Sequence, residues 1–146
     1  MRKIYLASSW RNENQPGLVS LLRDRGHEVY DFRHPSEVDE GFAWSEIDED
    51  WLNWTPAAFL GKLTTHPRAA SGYAFDKKAL DWCDTCVLLL PCGRSAHLEA
   101  GYAIGQGKRT VIVLSERGFE PELMYLMATA CVAELPDLLA AIEAGE

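Results

Sequence analysis

Short apolar runs alternate with longer stretches of mixed polarity along this chain. Five runs have the length of strands, at residues 4–7, 29–32, 86–90, 110–114 and 131–133. The run at 86–90 is apolar throughout, which is typical of a parallel strand buried on both faces. The stretches between these runs are long enough for helices, which sets the pattern of the whole fold.

Helices are predicted where apolar side chains recur at helical spacing between breaking residues. Leu18, Leu21 and Leu22 form one such face, with Pro16 at its start and Gly26 at its end. Thr55-Pro56 predicts the start of a short helix. Further helices are expected at residues 67–82, 95–106, 120–128 and 136–144.

Strands that alternate with helices predict an α/β domain with a parallel sheet covered on both faces. Five strands favour a flavodoxin-like, doubly wound sheet in the order 2-1-3-4-5. Residues 1–146 contain no repeat, linker or low-complexity tract, so we expect one domain. A ligand cleft is then expected between the carboxyl ends of strands one and three.

Charge and cysteine content narrow the possible partners. A formal net charge of −8 argues against binding a nucleic-acid polymer, although a few local donors suffice for one phosphate. Cys83-x-x-Cys86 is a single pair without a histidine cluster, so we expect no metal site. No cofactor is expected either. No stretch approaches ~18 apolar residues, so no membrane partner is expected and the cytoplasm is the default location.

Two segments leave the strand ends that should form the cleft. One covers residues 7–11, and the other, residues 91–102, opens a helix with small side chains. The free N–H groups and dipole of such a helix start favour an anion. Glu99 lies about one turn into this helix, where it is either a first-turn carboxylate that stabilises the helix or a functional group.

Four stretches of the sequence carry a family resemblance. They are Lys3-Ile4-Tyr5-Leu6-Ala7 with Trp10, Tyr73-x-x-Asp76 with Asp84, the run from Glu99-Ala100-Gly101-Tyr102 to Gly107-Lys108, and Leu123-Met124. With these stretches the chain resembles the nucleoside 2-deoxyribosyltransferases and the related nucleotide N-glycosidases. The third stretch is the most specific, because its acid, glycines and lysine all follow in order.

The resemblance implies catalytic roles for three side chains. Glu99 would attack the sugar C1′, Tyr5 would hold that carboxylate by a hydrogen bond, and Asp76 would contact and help protonate the leaving base. Such roles fit the chemistry, because the reaction develops positive charge on the sugar and negative charge on the base. Asp84 matches the family too, but it either caps or begins a strand and receives no catalytic role.

Substrate contacts are expected at both strand ends. We expect them at Ala7, Ser8, Ser9, Trp10, Gly93, Arg94, Ser95 and Met124. Arg11 is a further candidate after strand one. Met124 or Met127 would correspond to a residue that the family often lends to a neighbouring subunit, so a homodimer or higher homo-oligomer is expected.

One departure from the family pattern concerns the substrate's 5′ end. Transferases that act on free nucleosides usually carry an aspartate before the nucleophile, whereas here the stretch is Gly93-Arg94-Ser95. A hydroxyl and a guanidinium at a helix start favour a nucleoside 5′-monophosphate. The alternative is that Arg94 points into solvent.

Three functional hypotheses follow. The first is cleavage of the N-glycosidic bond of a nucleoside or nucleotide, by hydrolysis or by transfer to another base. The alternatives are a non-catalytic nucleotide-binding or sensor module and an NAD glycohydrolase-like enzyme.

His97 is interpreted as a surface or packing residue, while Trp44, Trp51 and Trp54 form either a lid over a base or ordinary packing.

Overall fold

The computed structural model describes residues 1–116 and 120–145. Its five strands all pair in parallel, in the order β2-β1-β3-β4-β5, which confirms the predicted fold class. They are β1 (Lys3–Ala7), β2 (Glu28–Tyr30), β3 (Thr85–Leu89), β4 (Arg109–Val113) and β5 (Ala130–Val132). The strand order reverses between β1 and β3, so these two strands end side by side.

The described residues form five α-helices, which lie between and after the strands. They are α1 (Gln15–Asp24), α2 (Pro56–Thr65), α3 (Pro67–Trp82), α4 (Arg94–Gly105) and α5 (Leu135–Glu143). The predicted start of α2 is confirmed, because the Thr55 hydroxyl accepts the N–H of Ala58 at 3.1 Å.

The helix predicted at 120–128 is wrong in type and length. The chain forms only a short 3₁₀ helix, Leu123–Met127, before β5. Hydrogen bonds before and after this segment limit its length. Before it, the Glu122 carboxylate accepts the N–H of Met124 at 2.9 Å. On the far side, Thr129 N–H already donates to Thr110 at 2.8 Å, which draws the chain into the sheet.

The second strand is also shorter than predicted, ending at Tyr30 rather than residue 32. Asp31 follows it as a buried carboxylate, and the Gln15 side-chain amide donates to it at 2.8 Å. Where the sheet pairing ends, the chain is therefore held by a side-chain hydrogen bond to Gln15 on α1.

The two faces of the sheet differ in the size of the side chains that cover them. One face carries the aliphatic core, with α1 and α5 against it: Ile4, Leu6, Val87, Leu89, Val111, Val113, Leu18, Val19, Leu22, Leu138 and Ile142. On α4 the buried residues are Ala96, Ala100 and Ala103. Their small side chains let α4 approach the other face closely, which brings its polar residues near β1 and β3.

Two compact units account for the packing: Met1–Asp31 with Leu80–Glu146, and Phe32–Ala79. The first unit holds all five strands. That residues 1–146 act as one domain stays a prediction. Within the described residues, no helix is both long and apolar enough to cross a bilayer.

Candidate functional site

Two side chains tie together the loops that follow β1 and β3. The Ser8 hydroxyl donates to the Leu89 carbonyl at 3.0 Å. The Asn12 amide donates to the carbonyl of Pro91 at 3.2 Å and, at 3.4 Å, to that of Leu89. The predicted segments at 7–10 and 93–95 therefore lie at the carboxyl ends of β1 and β3, where side-chain hydrogen bonds join the two loops.

Asn12 is a residue that sequence reasoning missed. Only 3% of it is exposed, and its Oδ1 accepts the N–H of Asn14 at 3.0 Å while its amide group donates across the cleft edge. The one signal in the sequence was an amide side chain in the loop after the first parallel strand. That signal is weak, because asparagine is common in loops of every kind.

Glu99 is half-buried on α4, and its charge acts on two thiols. Burial, and after it the Glu99 carboxylate, raises the pKa of Cys92 to about 12. Burial, Cys83 and Glu99 together raise the pKa of Cys86 far above its usual range. The carboxylate of Glu99 therefore lies near both thiols, one on β3 and one just after it.

Tyr5 shares the face of the sheet on which Cys86 lies. The two residues are direct partners in the parallel register of β1 and β3, so their side chains point the same way. Tyr5 is fully buried, and its ring stacks on Tyr30 with centroids 5.2 Å apart. Tyr5 and Glu99 are thus brought to one face, and the hydrogen bond between them stays a prediction.

Cys92 and His97 look like a nucleophile and its base, but their geometry argues against that pairing. His97 Nδ1 lies 3.7 Å from the Cys92 sulfur and 2.8 Å from the Gly93 carbonyl oxygen. A carbonyl can only accept, so Nδ1 carries a proton and cannot take one from the thiol. With a pKa raised to about 12, Cys92 stays a neutral thiol.

The remaining predicted contact residues lie in the two loops. The Ser9 hydroxyl accepts the N–H of Arg11 at 3.1 Å, and Trp10 is 48% exposed. Arg94 and Ser95 are exposed at the start of α4, and the Gly93 N-cap has no side chain to bond the first-turn N–H groups. This helix start can therefore offer backbone donors to an anion.

Asp84 lies at the opposite edge of the sheet, at the amino ends of the strands. Its carboxylate accepts the N–H of Lys3 at 3.0 Å and the hydroxyl of Thr85 at 2.7 Å. These bonds align the starts of β1 and β3. Because β3 begins at Thr85, the structure supports the interpretation in which Asp84 caps the strand.

Lys108, the last residue of the most specific stretch, also has structural contacts. Its ammonium donates to the Asp81 carbonyl at 3.0 Å and to the Leu80 carbonyl, both in the last turn of α3. The Tyr102 hydroxyl donates to the Asp81 carboxylate at 2.6 Å. The glycine-lysine end of this stretch thus holds a helix end, which leaves Glu99 as its chemically distinctive member.

The unit Phe32–Ala79 contains the predicted tryptophans and Asp76. Trp44 packs edge to face against Phe42, Trp54 and Phe59, which supports the packing interpretation for Trp44 and Trp54. Trp51 is partly exposed, and Asp76 is half-buried on α3. The role of Asp76 stays a prediction.

Arg68 fixes the loop that carries this aromatic cluster. Its guanidinium binds both oxygens of Asp39 at 3.1 Å, Glu46 at 3.2 Å and the Gly41 carbonyl at 2.6 Å. The Arg68 guanidinium also lies over the Phe42 ring.

In the described part of the chain, no three His, Cys, Asp or Glu side chains are grouped to hold a metal ion.

No family model and no curated protein matches the chain. Among solved structures, the 2-deoxyribosyltransferase of Bacillus psychrosaccharolyticus is 22% identical over 92% of this chain and 88% of its own, with a TM-score of 0.61. The CMP N-glycosidase of Clostridium botulinum is 16% identical over 88% of this chain and 85% of its own, with a TM-score of 0.50.

The chain has the fold of these two enzymes. The resemblance noted in the sequence is thereby confirmed at the level of the fold. In this deoxyribosyltransferase-like fold, the hydrogen-bonded loops after β1 and β3 lie where the strand order reverses. Doubly wound proteins bind their ligands at this switch point of the sheet.

Proposed function

We propose that the chain cleaves the N-glycosidic bond of a nucleoside or nucleoside 5′-monophosphate, with Glu99 as the nucleophile. One observation carries the proposal: the charge of the Glu99 carboxylate raises the pKa of Cys86, on β3, and of Cys92, just after it, and Cys86 shares its face of the sheet with Tyr5. The fold held in common with an N-glycosidase and a deoxyribosyltransferase supports the same reaction class.

The reaction would proceed in two balanced steps. A Glu99 oxygen attacks C1′ while the C1′–N bond breaks, and the electron pair of that bond goes to the base, which takes a proton from Asp76. Water then attacks C1′, the ester to Glu99 breaks, and the proton released by water restores Asp76. If a second base attacks in place of water, the outcome is transfer instead of hydrolysis.

The start of α4 supports a 5′-monophosphate as the preferred substrate. Arg94 and Ser95 are exposed there, next to a glycine N-cap without a side-chain bond. A phosphate could accept from the first-turn N–H groups, the serine hydroxyl and the guanidinium together. Such local donors suffice even in a chain whose net charge is −8.

The exposed face of the 3₁₀ helix supports assembly into a homodimer or higher oligomer. Leu123, Met124, Leu126 and Met127 are each more than half exposed. Contiguous apolar surface of this kind commonly marks a contact site. Met124 would in that case contribute to a neighbouring copy's site.

A base-release assay tests the proposed reaction. The protein is incubated with a panel of nucleosides and their 5′-monophosphates, with NAD included, and free base is measured by chromatography. Glu99→Gln removes the nucleophile and should lower kcat by about a thousandfold or more. Glu134→Gln, an exposed glutamate at the start of α5, is the matched control and should keep wild-type activity.

The same assay separates the alternatives. A higher kcat/KM for the monophosphates supports the phosphate site, and release of nicotinamide alone would favour the NAD glycohydrolase-like enzyme. Tight binding of a monophosphate without release of base would favour a sensor module. Equal rates for the wild type and Glu99→Gln would contradict the proposed role of Glu99.

A further inference from the structure

The ring of His97 connects the start of α4 to the 3₁₀ helix Leu123–Met127. Its Nδ1 lies 2.8 Å from the Gly93 carbonyl oxygen, and its Nε2 lies 2.8 Å from the Tyr125 hydroxyl. The two rings also stack, with centroids 5.9 Å apart and planes 18° from parallel. Both nitrogens of one imidazole are therefore engaged, and they join two segments 28 residues apart.

The contacts of this ring also fix its tautomer. The Gly93 carbonyl can only accept a hydrogen bond, so Nδ1 carries the proton. In the neutral ring Nε2 then accepts, and the Tyr125 hydroxyl donates to it. The result is a directed series of hydrogen bonds from Tyr125 through His97 to Gly93.

The receiving end of this series is the N-cap of α4. Gly93 has no side chain to hold the cap, and its backbone bond to the His97 N–H is long, at 3.4 Å. The shorter bond from the ring, at 2.8 Å, is thus the stronger restraint on the Gly93 carbonyl. That peptide group also contains the Arg94 N–H, the first of α4, so its orientation sets the direction of this donor.

We propose that His97 and Tyr125 are positioning residues that orient the first turn of α4 for the phosphate of a nucleoside 5′-monophosphate. This inference rests on the proposed function, since it assigns the Gly93-Arg94-Ser95 turn to the substrate's 5′ end. Neither ring touches the reacting atoms in this scheme. Loss of the Tyr125 hydroxyl weakens phosphate binding more than it slows bond cleavage.

A spectroscopic experiment tests the hydrogen-bond series without any need for activity. The ring nitrogens of the four histidines are observed by ¹⁵N NMR at a pH where they are neutral, and His97→Asn identifies the signals of His97. We expect the Nδ1–H tautomer for His97 in both proteins, because the Gly93 carbonyl fixes it, and a shift of the Nε2 resonance in Tyr125→Phe, where the hydrogen bond from the hydroxyl is lost. An Nε2–H tautomer in the wild type, or no change in the phenylalanine variant, would overturn the proposal.

Kinetics test the positioning role. Tyr125→Phe keeps the stacked ring and should raise KM for the monophosphate about fivefold to tenfold, with a much smaller change in kcat and in KM for the free nucleoside. His97→Asn offers an amide N–H near the position of Nδ1 and should retain part of the effect that His97→Ala loses. An equal loss of kcat on both substrates would contradict a role in phosphate positioning.

The matched control lies on the same helix. Tyr102→Phe also removes a hydrogen-bonded tyrosine hydroxyl, but one that donates to Asp81 rather than to the start of α4. Its ratio of monophosphate KM to nucleoside KM should stay near that of the wild type. A Tyr102→Phe ratio that moves as far as that of Tyr125→Phe would mean that general loosening of α4, not the His97 bonds, sets phosphate affinity.

Failure of this inference can be told apart from failure of the proposed function. If the wild type releases no base from any substrate, the proposed reaction fails, while the NMR arm still decides the hydrogen-bond series. Calorimetric binding of the monophosphate and of the nucleoside then replaces KM. A selective loss of monophosphate binding in Tyr125→Phe would support the positioning role, and unchanged binding would overturn it.

Discussion

At the scale of single residues, the amide of Asn12 should be the polar group on which the cleft edge most depends. Asn12→Ala leaves the Leu89 and Pro91 carbonyls without that donor and should lower the free energy of unfolding by about 1–3 kcal/mol. Asn12→Asp should cost more, because its carboxylate would face two carbonyl oxygens. Urea unfolding measures both changes.

The neighbouring Asn14 provides the control for that prediction. It is exposed, and its side chain makes no capping bond at the start of α1, so Asn14→Ala should change stability little. If Asn12→Ala were as stable as Asn14→Ala, the cross-link between the two loops would have no energetic importance.

Individual residues also show what the sequence could and could not predict. Glu99 and Tyr5 could be singled out, because each lies in a stretch of the sequence that carries the family resemblance. Asn12 could not, because its partners are backbone carbonyls that lie more than 75 residues away and carry no side-chain signature. The contacts of Lys108 with the end of α3 are of the same kind.

At the scale of elements, the approach of α4 to β3 gives a prediction about thiol reactivity. The Glu99 carboxylate helps to raise the pKa of Cys92, so Glu99→Gln should lower that pKa and increase the thiolate fraction. Alkylation of Cys92 by iodoacetamide at about pH 8.5 should then be faster, since the thiolate is the reactive form. Mass spectrometry of the labelled peptides gives the rate.

Cys131 serves as the internal reference for this measurement. Burial alone raises its pKa, so its alkylation rate should be the same in both proteins. An unchanged Cys92 rate in Glu99→Gln would mean that the carboxylate does not lie near β3, and the proposed nucleophile would lose its main support.

The elements themselves were predictable where packing and local pattern agree. α1 and β3 follow from apolar periodicity and flanking breakers, and their predicted positions lie within about two residues of those observed. The prediction of a helix at 120–128 was wrong. Four apolar side chains there are exposed and make no core contact that would extend the 3₁₀ helix: Leu123, Met124, Leu126 and Met127. Most helical stability comes from such contacts, and local propensity alone did not suffice.

At the scale of the whole molecule, the unit that contains the five strands also contains several thiols whose pKa is raised. Burial is the largest cause that raises the pKa of Cys83, Cys86 and Cys92. Cys86 is fully buried at the centre of the sheet, between β1 and β4. The chemistry of the cysteines is thereby coupled to folding, which makes stability depend on pH on the alkaline side.

The sign of this dependence follows from proton linkage. Where the pKa of a thiol is higher in the folded protein, the unfolded chain releases its proton first, so stability is intact below about pH 8.5 and falls as the pH rises. A fully buried thiol such as Cys86 can contribute up to about 1.4 kcal/mol of loss per pH unit. Urea unfolding under reducing conditions, from neutral pH to about pH 10, measures this slope. Cys86→Ala should be less stable at neutral pH yet show a shallower alkaline slope, whereas equal slopes would mean that Cys86 ionises as readily in the folded protein as in the unfolded chain.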